Sequence, residues 1–228
     1  MVFDGALYNN PELRDELNER GYRFFGNSDA EVVLKAYHAW GEACVEHFLG
    51  QWALCLWDRK NQILFCSRDR YGIKPLYYCL EKGMLYLGSE VKQMLITPGD
   101  KTLNKAMIWR SMKINSLLAY DDETYWQGIH SLKPGHNLIV GKDLTIKCYY
   151  ELNPQNFESS TLSYPKAVEE YRRIFQESIS LNLRCQVPIG AGLSGGLDSS
   201  AVVCAAVRHL GEPIPTFSSY YPDRKSVV

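Results

Sequence analysis

No stretch of the 228 residues holds the ~18 consecutive apolar residues that a membrane-spanning helix needs, so no such helix is expected. The start, Met1-Val2-Phe3-Asp4-Gly5, lacks a cationic segment followed by an apolar one, and no signal peptide is expected. Neither sign of charge is in excess. Lys and Arg total 25 against 26 Asp and Glu, which excludes a general basic field for nucleic acid and an acidic tail. The seven cysteines form an odd set with no Cys-x-x-Cys pair, which argues against a disulfide scaffold or a zinc site. Cys55 and Cys66 lie in apolar runs and read as buried free thiols, so the expected compartment is the reducing cytoplasm. No internal repeat at a solenoid period is found. What is present is ordinary globular composition, 46% apolar and 22% charged, in a length that suits one or two domains.

Along the chain, Asn10-Pro11 reads as an N-cap followed by proline at the first helical position, and Gly21 ends that helix. Ser28-Asp29-Ala30-Glu31 fits a capping box, opening a helix with Val32, Val33, Ala36, Tyr37 and Trp40 inward. Strands are expected over 51–57 and 62–67, with a hairpin of 76–80 and 84–88 around Glu81-Lys82-Gly83. Ser89 is the expected cap of a short helix to Leu95, 105–113 reads as helical, and two late strands cover 137–140 and 145–150. The Trp and Tyr residues of 109–126 read as core and interface. Residues 151–163, with Asn153-Pro154-Gln155-Asn156 and Ser159-Ser160-Thr161, are poor in apolar side chains and read as a linker. A helix from Ser163 to about Leu183 follows, with Val168, Tyr171, Ile174, Phe175 and Ile179 on one side. Then come a strand (187–190), a glycine-rich loop, a helix (199–209) and a strand (214–218), the order of a parallel α/β unit. Two such strands cannot cover both faces of a parallel sheet, so the chain is expected to end inside that domain.

The loop Gly190-Ala191-Gly192-Leu193-Ser194-Gly195-Gly196-Leu197-Asp198-Ser199-Ser200 satisfies three patterns at once. As G-x-G-x-x-G it would need an acidic residue at the end of the next strand, where Thr216-Phe217-Ser218-Ser219 stands instead. As G-x-S-x-G it would need an acid and then a histidine downstream, and only His209 follows, on the helix that the loop itself opens. The third reading is a phosphate loop of the pyrophosphate-releasing kind. Glycines let backbone amides approach a polyphosphate, serines add hydroxyls, the helix start adds partial positive charge, and Asp198 offers an oxygen ligand to Mg²⁺. The lysine of G-x-x-x-x-G-K-[ST] is absent, which disfavours ordinary γ-phosphate transfer. The plain alternative is a flexible Gly/Ser turn.

The loop, together with Ser28-Asp29-Ala30-Glu31-Val32, Arg68-Asp69-Arg70-Tyr71-Gly72-Ile73-Lys74-Pro75-Leu76-Tyr77-Tyr78, Ser89-Glu90-Val91-Lys92 and Pro134-Gly135-His136, resembles the glutamine-hydrolysing asparagine synthetases. These motifs match S-G-G-x-D-S, S-D-x-E-V, R-D-R-x-G-I-K-P-L-Y-Y, S-E-[IVL]-K and P-G-H, in the family's order. The resemblance implies a partial α+β glutaminase domain of the Ntn-hydrolase type over 1–150. After the linker it implies the start of an α/β ATP-pyrophosphatase domain, adenine nucleotide alpha hydrolase-like, over 164–228. Implied glutamine-binding residues are Asp4, Gly5 and Asp29. Implied ATP-binding residues are Leu193, Ser194, Gly195, Gly196, Leu197, Asp198, Ser199, Ser200 and Ser219, with Asp198 on Mg²⁺. The implied reaction is ATP-dependent amidation of aspartate through an acyl-adenylate, with ammonia from glutamine. The partners are thus the small molecules glutamine, aspartate and ATP, with a homodimer as the assembly and no nucleic acid or membrane.

Two departures stand out. The family's N-terminal catalytic Cys and R-H-R-G-P-D segment do not occur, so residues 1–228 are expected to be a fragment that does not hydrolyse glutamine. Asp4 stands where the family has an Asn that donates to the oxyanion; an ionised Asp only accepts, and losing one such donor costs ~2.7–4 kcal/mol at the transition state. Ala6 likewise replaces a Glu that contacts glutamine. Arg68, Asp69, Arg70 and Lys74 are expected to form loop ion pairs, and His38 to be a polar surface residue. Rival readings are an amide-forming ligase of the β-lactam synthetase or lasso-peptide cyclase type and a non-catalytic remnant.

Overall fold

Strand β2 (Gly50–Asp58) shows how the first part of the chain is layered. Its side chains alternate between two apolar environments, as the two-residue period of a strand requires. Trp52, Leu54 and Leu56 join a core with Leu13 and Leu17 of α1 (Asn10–Glu19) and Val32, Val33 and Ala36 of α2 (Asp29–Trp40). Ala53 and Cys55 face the other way, toward Leu76, Tyr78 and Leu132.

The computed structural model describes residues 1–99, 101–114, 122–156, 161–184 and 187–219. Contacts divide the chain into two compact units, Met1–Asn153 and Pro154–Val228. In the first, β1 (Val2–Leu7), β2, β3 (Ile63–Arg68), β7 (His136–Val140) and β8 (Leu144–Cys148) make an antiparallel five-stranded sheet in the order β1-β2-β3-β7-β8. A second sheet, β5-β4-β6, is built from β4 (Tyr77–Glu81), β5 (Met84–Gly88) and the short β6 (His130–Ser131). Helices α1 and α2 cover one face of the large sheet, and residues of the second sheet share an apolar cluster with its other face. Helix α3 (Val91–Leu95) lays Met94 against Cys79 and Ile129 beyond the second sheet, and α4 (Lys105–Ile114) buries Met107.

Local chemistry places the boundaries. At the β4–β5 turn, Lys82 and Gly83 both have positive φ (50° and 79°), the two-residue turn whose twist matches that of the strands. At the β2–β3 turn, Asp58 Oδ1 accepts from the amides of Lys60 and Asn61 at 2.9 and 3.0 Å. Several expected boundaries shift. Asn9, not Asn10, precedes α1, because Asn10 turns its amide to Asp29. Only half of the box at α2 forms: Ser28 Oγ accepts from Glu31 N, while Glu31 accepts from Phe25 and Gly26 instead. Glu90, not Ser89, caps α3, in a reciprocal box with Gln93. Cys55 is half-buried rather than buried, and Cys66 is fully buried. Trp109 is largely exposed and Trp126 packs on the third cluster; Tyr120 lies outside the described residues.

The second unit contains α5 (Tyr164–Asn182), β9 (Ala191–Gly192), α6 (Leu197–Leu210) and β10 (Thr216–Phe217). β9 and β10 pair in parallel, Ala191 with Thr216 and Phe217 with Gly192. No strand forms at the expected 187–190; the strand lies just after it, at Ala191–Gly192, while the one expected at 214–218 shrinks to Thr216–Phe217, and α6 begins at Leu197, ahead of Ser199. Gly211, in the left-handed region, ends α6 with its N–H on Val207 O. The helix α5 has no buried residue, and Val168, Tyr171 and Ile174 of its apolar side are exposed. The serines 159–160 of the expected linker and the chain beyond Ser219 lie outside the described residues.

Candidate functional site

Gly5 sits in the middle of β1 because nothing larger fits: a Cβ there would lie 2.2 Å from the carbonyl oxygen of Gln51 on β2. The absence of a side chain leaves that strand's backbone close to its neighbour. One residue earlier, Asp4 projects an exposed carboxylate, and Lys74 Nζ meets its Oδ1 at 2.9 Å. Seventy residues separate the partners, so no local period in the sequence announces the pair.

Asp29 comes to the end of the same strand. It opens α2, where a carboxylate meets the positive end of the helix dipole. Its Oδ2 accepts from Leu7 N of β1 at 3.0 Å, and its Oδ1 accepts from Asn10 Nδ2. Asn10 in turn accepts from Arg14 Nε at 2.7 Å, which also reaches Ser28 O through its Nη2 at 3.2 Å. Asp29 thus ties β1, α1 and α2 together.

Two residues on, Glu31 is held by the amides of Phe25 and Gly26, both at 2.9 Å. Those two bonds, with Lys35 beside it, hold the carboxyl below its ordinary value of 4.5. A depressed folded-state value means that the contribution is complete above the unfolded value and is lost as pH falls through the folded one. The expected result is an NMR titration midpoint for Glu31 below 4.5. In Glu31→Gln the acid-side loss of stability should be shallower than in the wild type; an unchanged slope would contradict the assignment.

The expected ion pairs of 68–74 are corrected. Arg68 and Asp69 spend themselves on backbone groups instead. Asp69 is fully buried, and its carboxylate accepts from the amides of Tyr71 (3.1 Å), Ile73 (3.0 Å), Lys74 (2.9 Å) and Trp52 (3.3 Å). Arg68 Nε donates to Lys74 O at 2.7 Å, Nη2 to Gly72 O at 2.9 Å, and Nη1 to Leu132 O at 2.7 Å and Ser131 Oγ at 3.0 Å. Burial pulls the guanidinium below its usual value, and Asp69 offsets part of that. The two side chains wrap the loop in opposite senses, one binding N–H groups and the other carbonyls. Gly72 takes a positive φ of 66° inside this wrap. Arg70 donates to Glu46 O at 3.0 Å and lies over the Tyr150 ring. Among the described residues, Lys74 is the one of the four that makes an ion pair, with Asp4. His38 is exposed, as expected of a polar surface residue, with its ring Nδ1 2.7 Å from the Tyr22 hydroxyl.

In the second unit the loop after β9 closes on itself. Ser199 Oγ lies 3.0 Å from Ser194 Oγ and donates to Gly196 O at 3.2 Å. Ser200 Oγ donates to Gly196 O at 2.8 Å. Leu193 is tied to the neighbouring strand, its N–H on Phe217 O at 2.9 Å and its carbonyl accepting from Ser218 Oγ at 2.6 Å; exposed Ser219 follows. Gly195 has a φ of 83°, which favours glycine there. Asp198 is exposed in the first turn of α6, a helix of 14 residues, where the leading N–H groups have no acceptor within the helix. Leu193, Ser194 and the residues through Ser200 are therefore gathered at one helix start with Ser219 beside them. Among the described residues no three His, Cys, Asp or Glu side chains gather into a metal site. A lone carboxylate still fits Mg²⁺, which commonly keeps waters and takes one or two carboxylates together with substrate phosphates.

A family model for the glutamine amidotransferase domain matches residues 1–151, and one for asparagine synthase matches residues 170–226. The chain belongs to the asparagine synthetase family. It is 35% identical over 232 residues to asparagine synthetase (glutamine-hydrolyzing) 3 of Bacillus subtilis, covering 98% of this chain and 37% of that protein. Asparagine synthetase (glutamine-hydrolyzing) 1 of the same organism is 31% identical over 220 residues, covering 96% and 34%. Among solved structures, the glutamine phosphoribosylpyrophosphate amidotransferase of B. subtilis aligns at TM-score 0.47 with 14% identity, over 95% of this chain and 44% of that one. The chain therefore spans about a third of the length of these synthetases. The helix-covered antiparallel sheet backed by a second sheet is this family member's glutaminase-type unit, and the β9–α6–β10 unit begins its synthase part. No described helix is long and apolar enough to cross a membrane.

Proposed function

We propose that this chain is part of an ATP-dependent ligase that amidates aspartate with ammonia from glutamine. The observation that carries the reading is the loop of residues 194–200, placed between a parallel strand pair and the start of a long helix with Asp198 exposed in its first turn. In this reading Ser194, Ser199 and Ser200 exchange their hydrogen bonds within the loop for bonds to phosphate oxygens, and the Gly195, Gly196 and Leu197 amides approach the same oxygens. Leu193 and Ser219 flank the adenosine. Asp198 would hold Mg²⁺, which would supply charge neutralisation to the departing pyrophosphate. The aspartate carboxylate attacks the α-phosphorus, and ammonia then displaces AMP.

Glutamine is assigned to the other unit, on Gly5, Asp4 and Asp29. Asp29 already accepts two hydrogen bonds, and a carboxylate has room for about four, so a third from an α-ammonium group is compatible. Asp4 cannot donate, but the Lys74 ammonium beside it brings donors to the same place.

The test is ATP–pyrophosphate exchange in a protein that carries residues 1–228 with the remaining length found in its relatives. Exchange that depends on aspartate is the expected outcome. Exchange driven by another carboxylate instead would favour an intramolecular amide-forming ligase, and no exchange with any carboxylate would overturn the reading of the loop.

A further inference from the structure

Cys55 of β2 and Cys66 of β3 stand directly opposite each other in the antiparallel ladder. Their hydrogen-bonding phase follows from one bond at the end of that ladder. Trp52 and Asp69, the pair next to Ala53 and Arg68, are joined by Asp69 N to Trp52 O at 2.9 Å. Hydrogen-bonded and non-hydrogen-bonded pairs alternate along an antiparallel ladder, so Cys55 and Cys66, three pairs further on, are non-hydrogen-bonded. The other side of β2 agrees: Tyr8 N donates to Leu49 O, and continuing that phase along β1 turns the backbone polar groups of Cys55 toward Val2. Non-hydrogen-bonded partners lie about 4.5 Å apart at Cα with their side chains drawn close. That spacing falls in the ~4.4–6.8 Å range over which a disulfide bridges two Cα atoms.

Both thiols also point to one face, toward the apolar cluster of Ala53, Leu138 and Tyr78. They differ in exposure, Cys55 being half-buried and Cys66 fully buried. No other pair of described cysteines faces across a strand ladder.

The geometry points to a reversible oxidation site at Cys55 and Cys66, which a hydroperoxide converts to a cross-strand disulfide. The Cys55 thiolate attacks one peroxide oxygen and breaks the O–O bond, giving a sulfenic acid and, after protonation, water. The Cys66 thiol gives up its proton and attacks the Cys55 sulfur; the S–S bond forms and the hydroxyl leaves as a second water. Two thiols and one hydroperoxide thus become one disulfide and two waters when the oxidant is hydrogen peroxide. The difference in exposure supports this division of labour: Cys55 is half-buried, whereas Cys66 is fully buried, and its neighbour Cys55 together with burial pushes the Cys66 thiol up. Cys55 is then the attacking thiolate and Cys66 the resolving thiol. An external dithiol returns both to the reduced form.

The folded chain, treated with hydrogen peroxide, alkylated and digested with trypsin without reductant, tests this. The expected product is peptide 61–68 joined through Cys66 to Cys55 of peptide 36–59, lighter by two hydrogens and released by dithiothreitol. Fragmentation of the linked pair separates Cys55 from Cys44, which packs in the helix-side core instead. Recovery of peptide 61–68 with Cys66 alkylated after full oxidation of Cys55, or linked to any other cysteine, would overturn the proposal. In Cys55→Ser the link should vanish, and persistence of any disulfide at Cys66 would equally overturn it. The wild-type map decides alone if that variant does not fold.

Discussion

Asp69→Ala is expected to destabilise the first unit by at least about 3 kcal/mol, because a buried amide left without its acceptor costs ~1–3 kcal/mol. Four amides depend on this one carboxylate: Trp52, Tyr71, Ile73 and Lys74. Some will find water as the loop opens, so the full sum is not expected. For a chain of this size the loss corresponds to a fall in Tm of roughly 6–12 °C. Urea denaturation followed by tryptophan fluorescence measures it directly, since Trp52 is fully buried and bonded to Ser67 through its indole N–H. Asp69→Asn should fall between, keeping one acceptor oxygen but setting an NH₂ among donors. A second consequence reaches the candidate glutamine site. Lys74 is positioned by its own amide on Asp69 and by its carbonyl on Arg68, so a loosened loop should also release the ammonium from Asp4. An Asp69→Ala protein within about 1 kcal/mol of the wild type would show that the carboxylate is not the organiser of this loop.

The second large effect is expected at the opposite end of the chain, where Asp198→Asn should lower ATP–pyrophosphate exchange at least ~100-fold in a protein carrying the whole synthetase length. Asparagine keeps the size and one carbonyl oxygen but removes the charge that would position a divalent ion. Metal-borne stabilisation of a developing phosphoryl charge is worth several kcal/mol, and each ~1.36 kcal/mol is tenfold in rate. Folding should barely respond. Asp198 is exposed, and a carboxylate in the first turn of a helix contributes only ~0.3–1 kcal/mol through the dipole. Exchange and melting temperature measured on the same preparations separate the two roles. Intact exchange in a folded Asp198→Asn protein would make this residue a helix-start carboxylate and remove the main support for the nucleotide reading.

Much of the architecture is legible in one dimension because its causes are local. The alternation of Trp52, Leu54 and Leu56 with Ala53 and Cys55 encodes a strand buried on two faces. Ser28 ahead of Val32, Val33 and Ala36 encodes the start and the inward stripe of α2, and Lys82-Gly83 encodes a tight hairpin. The glycines and serines of 190–200 mark the loop proposed to bind phosphate, since backbone freedom and hydroxyl chemistry belong to residue type. What only the tertiary structure decided depends on partners distant in sequence. Arg68 and Asp69 read as charges seeking opposite charges, but folding buries them in a loop whose unpaired amides and carbonyls satisfy them better. The Asp4–Lys74 pair and the facing thiols of Cys55 and Cys66 exist only once strand register is set. A shift of one residue would send one thiol of the pair to the opposite face of the sheet. The apolar stripe of α5 marks the opposite limit: its period specifies a helix with a face to bury, and only a packed neighbour can bury it.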